Sequence, residues 1–235
     1  MFRANDQREM SAHGRGRPLA GRRPRRGLDK PNVDRQHIHT ARGFGSRPVR
    51  KSPYVTALDK LLRPAGFVRK VRTWNRGSDS LIDVIDIQRS NDWRMVTVNL
   101  GVFDHHVHDV CWPGQPLAFV DEASATARMR LGGLIDGSDR WWEGGDPNGP
   151  PEVMRLVEEN ATRFFRRIHE PGGIIAFLRQ EASTTRSYPL PTIQLGVALF
   201  LSGDRDEGLG VLDELRVRKA GEWRDRVDGI LSRLR

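Results

Sequence analysis

Residues 103–111, FDHHVHDVC, gather three histidines, two aspartates and the only cysteine of the chain into nine positions. Imidazole, carboxylate and thiolate are all ligands for divalent metals, so this stretch is where chemistry would first be sought. If the chain is extended here, alternate residues share a face. His106 and His108 then point the same way, at a spacing that can hold one Zn²⁺ or Ni²⁺, and His105 points oppositely. A structural zinc takes four protein ligands and a catalytic one three, so this pair needs a partner from elsewhere. Beyond the first fifty residues the remaining histidine is His169. Neither an HExxH motif nor paired CxxC motifs accompany the cluster. The stretch therefore reads first as a solvated strand-end loop. A divalent-metal enzyme built on His106 and His108 is the alternative.

Other catalytic patterns are weaker, and no residue is assigned a catalytic role. Cys111 has histidines beside it in sequence, but adjacency is not a dyad, and no GxSxG elbow occurs. Glu158 and Glu159 are neighbours that diverge by about 100° on a helix, as on a solvated face. GGLIDGSD (132–139) lacks the lysine of a phosphate loop. A second constellation is polar and aromatic. Gln88 and Asn99 fall on neighbouring strands of an expected hairpin. Arg128 and Arg130 share a face of a later strand, and Trp141 and Trp142 follow. Amides, guanidinium groups and indoles on one sheet face would suit a peptide or a small anionic ligand. The plainer reading is that these side chains only cover the sheet.

The elements that must position these residues begin at SPYVTALDKLLRPAGF (52–67), a helix with Ser52 at its N-cap and Pro53 in its first turn. Val55, Leu58, Leu61 and Leu62 form its apolar face. A strand is expected over 67–76, then a hairpin of 81–90 and 93–103 around Asn91-Asp92. Val96, Val98, Leu100 and Val102 share one face of the second hairpin strand; Met95, Thr97, Asn99 and Gly101 share the other. Further strands are expected at 127–135 and 140–144. After GGDPNGPP (144–151) the pattern turns helical, over 151–169 and again from 174. Strands first and helices afterwards predict an α+β fold: an antiparallel sheet packed with helices, followed by a helical C-terminal segment. LGVALFLSGDRDEGLGVLDEL (195–215) resembles one tetratricopeptide-type helical hairpin, with Gly208 in place of the usual alanine. No second copy follows at the repeat period, so a solenoid is not expected. The expected organisation is a tail over 1–50, an α+β domain over 51–170 and a helical segment over 171–235.

Charge separates the tail from the rest. Residues 1–52 hold 14 Arg and Lys against 4 Asp and Glu, whereas the remaining 183 hold 25 against 26. The tail is rich in Arg, Gly and Pro without periodicity, which predicts disorder. Its RGRP (15–18) looks like the core of an AT-hook, but the match is short, so DNA association through residues 1–50 is expected to be weak and non-specific. Arginine outnumbers lysine 34 to 5, a bias of GC-rich coding. Translation upstream of a native start near Val49 or Val55 would give such a stretch. A single cysteine excludes an intramolecular disulfide and suits a reducing cytoplasm. No apolar run reaches the roughly 18–20 residues of a membrane span.

Taken together, LDKLLRPAGFVRKVRTWNR, VIDIQRS, VTVNLGVF and ARMRLGGLIDGSDRWWEG resemble the bacterial family called domain of unknown function 4304, over about residues 54–145. The resemblance implies a fold rather than an activity. Its recurring positions fall on Gly66, Phe67, Trp74, Gln88, Asn99, Gly101, Arg130, Trp141 and Trp142, and the histidines of 105–108 are not among them. The expected function is a non-catalytic binding module with a protein or peptide partner, of the immunity or inhibitor type, without cofactor.

Overall fold

The computed structural model describes residues 52–77, 80–92, 94–115, 117–184 and 188–235. The expectations for the tail lie outside these residues. The chain runs α1 (Pro53–Leu62), β1 (Val68–Lys70), β2 (Thr73–Gly77), β3 (Leu81–Arg89), β4 (Met95–Asp104), α2 (His105–Cys111), β5 (Ala127–Arg130), α3 (Leu131–Ile135) and β6 (Trp142–Glu143). It ends in α4 (Gly149–His169), α5 (Gly173–Thr184), α6 (Leu190–Ser202), α7 (Arg205–Arg218) and α8 (Glu222–Leu234). The fold is α+β, with an antiparallel sheet in the order β1-β2-β3-β4-β5 and β6 also paired to β4. None of the described helices is long and apolar enough to cross a membrane.

Alternation gives the sheet two unlike faces. Ile85 pairs with Leu100 and Ile87 with Val98, and these join Trp74, Val96 and Val102 in the main core against α1 and α4. From α4, Val153, Leu156, Val157, Phe164, Phe165 and Ile168 enter that core at helical spacing. Trp74 is fully buried there, with its indole N–H donating to Asp59 at 3.1 Å. The opposite face carries Thr73, Asn75, Asp86, Gln88, Thr97, Asn99, Arg128 and Arg130, as the pairing register requires. A second apolar cluster gathers Val107 and Cys111 of α2 with Leu178, Ile193, Val197, Leu199, Leu212, Val227 and Ile230 of the C-terminal helices.

The structure corrects three local expectations. Residues 67–76 form a hairpin, β1–β2, where one strand was expected. Its reversal uses Val71 at φ 58°, a conformation that β-branched residues seldom adopt and that carries no turn signal. Residues 131–135 are helical rather than extended, which turns Leu131 fully into the main core. The stretch after β4 is a partly buried helix rather than a solvated loop: the Asp104 carboxylate accepts from the N–H groups of His106 (2.9 Å) and Val107 (3.1 Å) and starts α2, which buries Val107, His108 and Cys111. An N-cap of this kind satisfies donors that a continuing strand would have used in pairing.

Candidate functional site

The α2 helix removes the geometry on which a His106–His108 pair depended. Two residues apart on a helix, the side chains point about 160° away from each other. His106 is exposed, whereas His108 is buried, stacked on Trp112 with ring centroids 5.3 Å apart. His106 instead lines a cavity of about 630 Å³ with His169, Asp104 and Glu170. Two of the polar groups there are already engaged: Asp104 caps α2, and His169 Nε2 lies 2.8 Å from the buried Asp83 carboxylate. The guanidinium of Arg76 also donates to Asp83, at 2.7 Å. Among the described residues no group of three or more His, Cys, Asp or Glu side chains is arranged to hold a metal. Cys111 is buried, and that burial pushes its thiol up to about 12, far from a nucleophile.

The polar constellation meets at a different place. Gln88, Asn99, Arg128 and Arg130 line one cavity of about 260 Å³ between the second sheet face and helices α5 and α6. Asn99 and Arg130 are direct cross-strand partners, and Arg128 lies two residues along the same face. The amide of Asn99 donates to Gln88 Oε1 at 3.1 Å, and Arg130 Nη2 reaches the same oxygen at 3.4 Å. Trp141 lies under the Arg130 guanidinium, 5.2 Å from its carbon, and so supports the site without lining it. Trp142 does not join them. As the next residue on the chain it points to the other face, where it is buried in the main core and donates to Glu152 at 3.0 Å.

The charges of the two arginines are matched. Arg128 Nε donates to Glu122 at 2.8 Å, and Arg130 is paired with Asp139. The hydrogen bond from Arg130, aided by one from Trp141, holds the Asp139 carboxyl below its usual range. The expected attraction for a small anion therefore has little free positive charge behind it.

The far wall comes from residues that the strand pattern could not point to. Phe177, Leu178 and Glu181 share a face of α5 at i, i+1 and i+4, and Leu190, Pro191 and Gln194 share one of α6. Gln194 is only 4% exposed, and its amide has no hydrogen-bond partner among the described residues. One signal for it did exist: a lone amide inside the apolar run of α6. The near rim is the segment before β5. It is pinned by Asn75, whose amide donates to Val120 O (2.9 Å) and accepts from Val120 N (2.8 Å). Gly101 lets that segment lie on the sheet, since a Cβ there would come within 2.7 Å of the Ala125 methyl.

No curated protein and no solved structure matches the chain. Residues 58–170 match the family model described as Domain of unknown function (DUF4304), a longer stretch than the motifs alone delimit because it includes α4. The matched segment holds the whole sheet and hence Gln88, Asn99, Arg128 and Arg130, while Glu181 and Gln194 lie beyond it. It is over residues 58–170, a little under half of the chain, that the protein is similar to the DUF4304 family.

Proposed function

We propose that this protein works by binding, holding a peptide segment of a partner protein in the cavity between the sheet and α5–α6. The role is that of an inhibitor or immunity-type protein in a bacterial cytoplasm, a reducing setting that suits a single unbridged cysteine. The observation that carries this reading is the convergence of Gln88, Asn99 and Gln194 on one cavity, where the Gln194 side chain makes no hydrogen bond among the described residues and its amide stays open to the cavity. A peptide group offers the matching donor and acceptor. Among the described residues the cavity presents no activated nucleophile, and the guanidinium groups of Arg128 and Arg130 are neutralised by carboxylates, which favours a peptide over a free anion.

The test is capture of a partner by the wild-type chain and by a Gln88→Ala/Asn99→Ala variant, followed by intact mass measurement of the partner. The partner is expected to bind the wild type, to be lost by the double variant and to keep its mass. Retention by the variant, or a covalently altered partner, would refute the reading.

A further inference from the structure

The charge inventory of the cavity narrows the ligand further, on the basis of the binding role proposed above. Among the described residues, four charged side chains line it: Arg128, Arg130, Glu122 and Glu181. Arg128 is paired with Glu122, and Arg130 with Asp139. Glu181 has no ion pair or side-chain hydrogen bond among the described residues, and it is partly buried on the cavity face of α5. Among the described residues the one uncompensated charge in the wall is thus negative. Two aromatic rings, Phe177 and Tyr188, also line the cavity. A carboxylate beside aromatic faces is a combination that attracts a cation over an anion. Beside it sit the unpartnered Gln194 amide and the free N–H₂ of Gln88, whose oxygen is already engaged. These groups match the peptide unit next to a side chain. At about 260 Å³ the cavity falls below the roughly 300–1,000 Å³ of drug-sized pockets, so it takes one side chain and little more.

We infer that the cavity recognises a single arginine or lysine side chain presented by a peptide, with Glu181 facing the cation and Gln194 and Gln88 reading the adjacent peptide group. Partner segments that seat a neutral or acidic residue in the cavity are then discriminated against by the same unpaired carboxylate.

The experiment is a titration of the full chain at low ionic strength, following the side-chain amide resonances of Gln88, Asn99 and Gln194. The probes are N-acetyl-arginine-methylamide, the matching blocked lysine, blocked aspartate, blocked leucine and agmatine. The blocked cations are expected to shift all three amides saturably. Glu181→Gln is expected to weaken them at least tenfold. Gln194→Leu, an apolar replacement in an apolar helix, should weaken them severalfold while leaving the thermal midpoint unchanged or higher. Agmatine lacks peptide groups and should bind more weakly than blocked arginine; equal affinity would overturn the peptide part of the assignment. Shifts with blocked aspartate or leucine but not with the cations would overturn the inference and leave the cavity as a binding site. No shift with any probe would overturn both.

Discussion

Asp86 shows how the second sheet face constrains a single residue. It pairs across the strands with Asn99 and accepts a hydrogen bond from the Thr73 hydroxyl at 2.7 Å. Burial pushes its carboxyl above the usual range, with the hydrogen bond from Thr73 acting the other way and the nearby Glu122 adding to the rise. A carboxyl that titrates higher when folded binds more protons in the native state than in the unfolded one. Stability is therefore lost as pH rises from the ordinary carboxylate range through the raised folded value. Asp86→Asn removes that loss. Urea midpoints measured across pH should show the variant gaining on the wild type through this window and staying ahead at neutral pH. A gap that does not change with pH would show the carboxyl to be unshifted.

Among the elements, the α6–α7 hairpin depends on one close crossing. A Cβ on Gly208 would come within 2.6 Å of Gly196 O and 2.7 Å of Phe200 N, both backbone atoms that cannot turn aside. Gly208→Ala gains about 1 kcal/mol of helix propensity but must push the helices apart, an overpacking penalty of about 1–3 kcal/mol. Net destabilisation is expected, read as a lower urea midpoint. Gly210, one half-turn on, is exposed with nothing within 4 Å of an added Cβ. There the same substitution should stabilise by roughly 0.5–1 kcal/mol, so the pair separates crowding from propensity. The small-residue spacing in the sequence already pointed to this crossing. The β1–β2 hairpin was not legible, because Val71 is a poor turn residue whose conformation is imposed by the pairing of its neighbours.

For the molecule as a whole, the start of the folded unit can be located by what it buries. Tyr54 is 1% exposed, and its hydroxyl donates to Glu143 O at 2.6 Å, tying α1 to the segment that leads into α4. A truncated chain beginning at Val55 loses this side chain together with the first turn of α1. Removing a buried aromatic costs about 3–5 kcal/mol, so such a chain should melt well below one beginning at Val49, which keeps Tyr54. Equal melting temperatures for the two truncations would show that Tyr54 contributes no net stability. The cavity belongs to this same scale. Its near wall lies in the DUF4304 segment and its far wall in helices beyond that segment.

By itself the sequence determined the α+β class, the α1 and α4 helices, the β3–β4 hairpin and the division of β4 into an apolar and a polar face. These follow from periodicities of 3.6 and 2, which are local properties of the chain. It also placed Gln88 and Asn99 on neighbouring strands and Arg128 and Arg130 on one face of a later strand; the pairing of β5 with β4 is what brings the four onto one face. Only the tertiary structure decided that Trp142 turns into the core, that Asp104 caps a helix and separates His106 from His108, and that Glu181 and Gln194 close the cavity. Charge matching between Arg128 and Glu122 and between Arg130 and Asp139 was likewise invisible in the sequence. Electrostatic pairing and cavity closure depend on distances between segments far apart along the chain, and no local pattern encodes those distances.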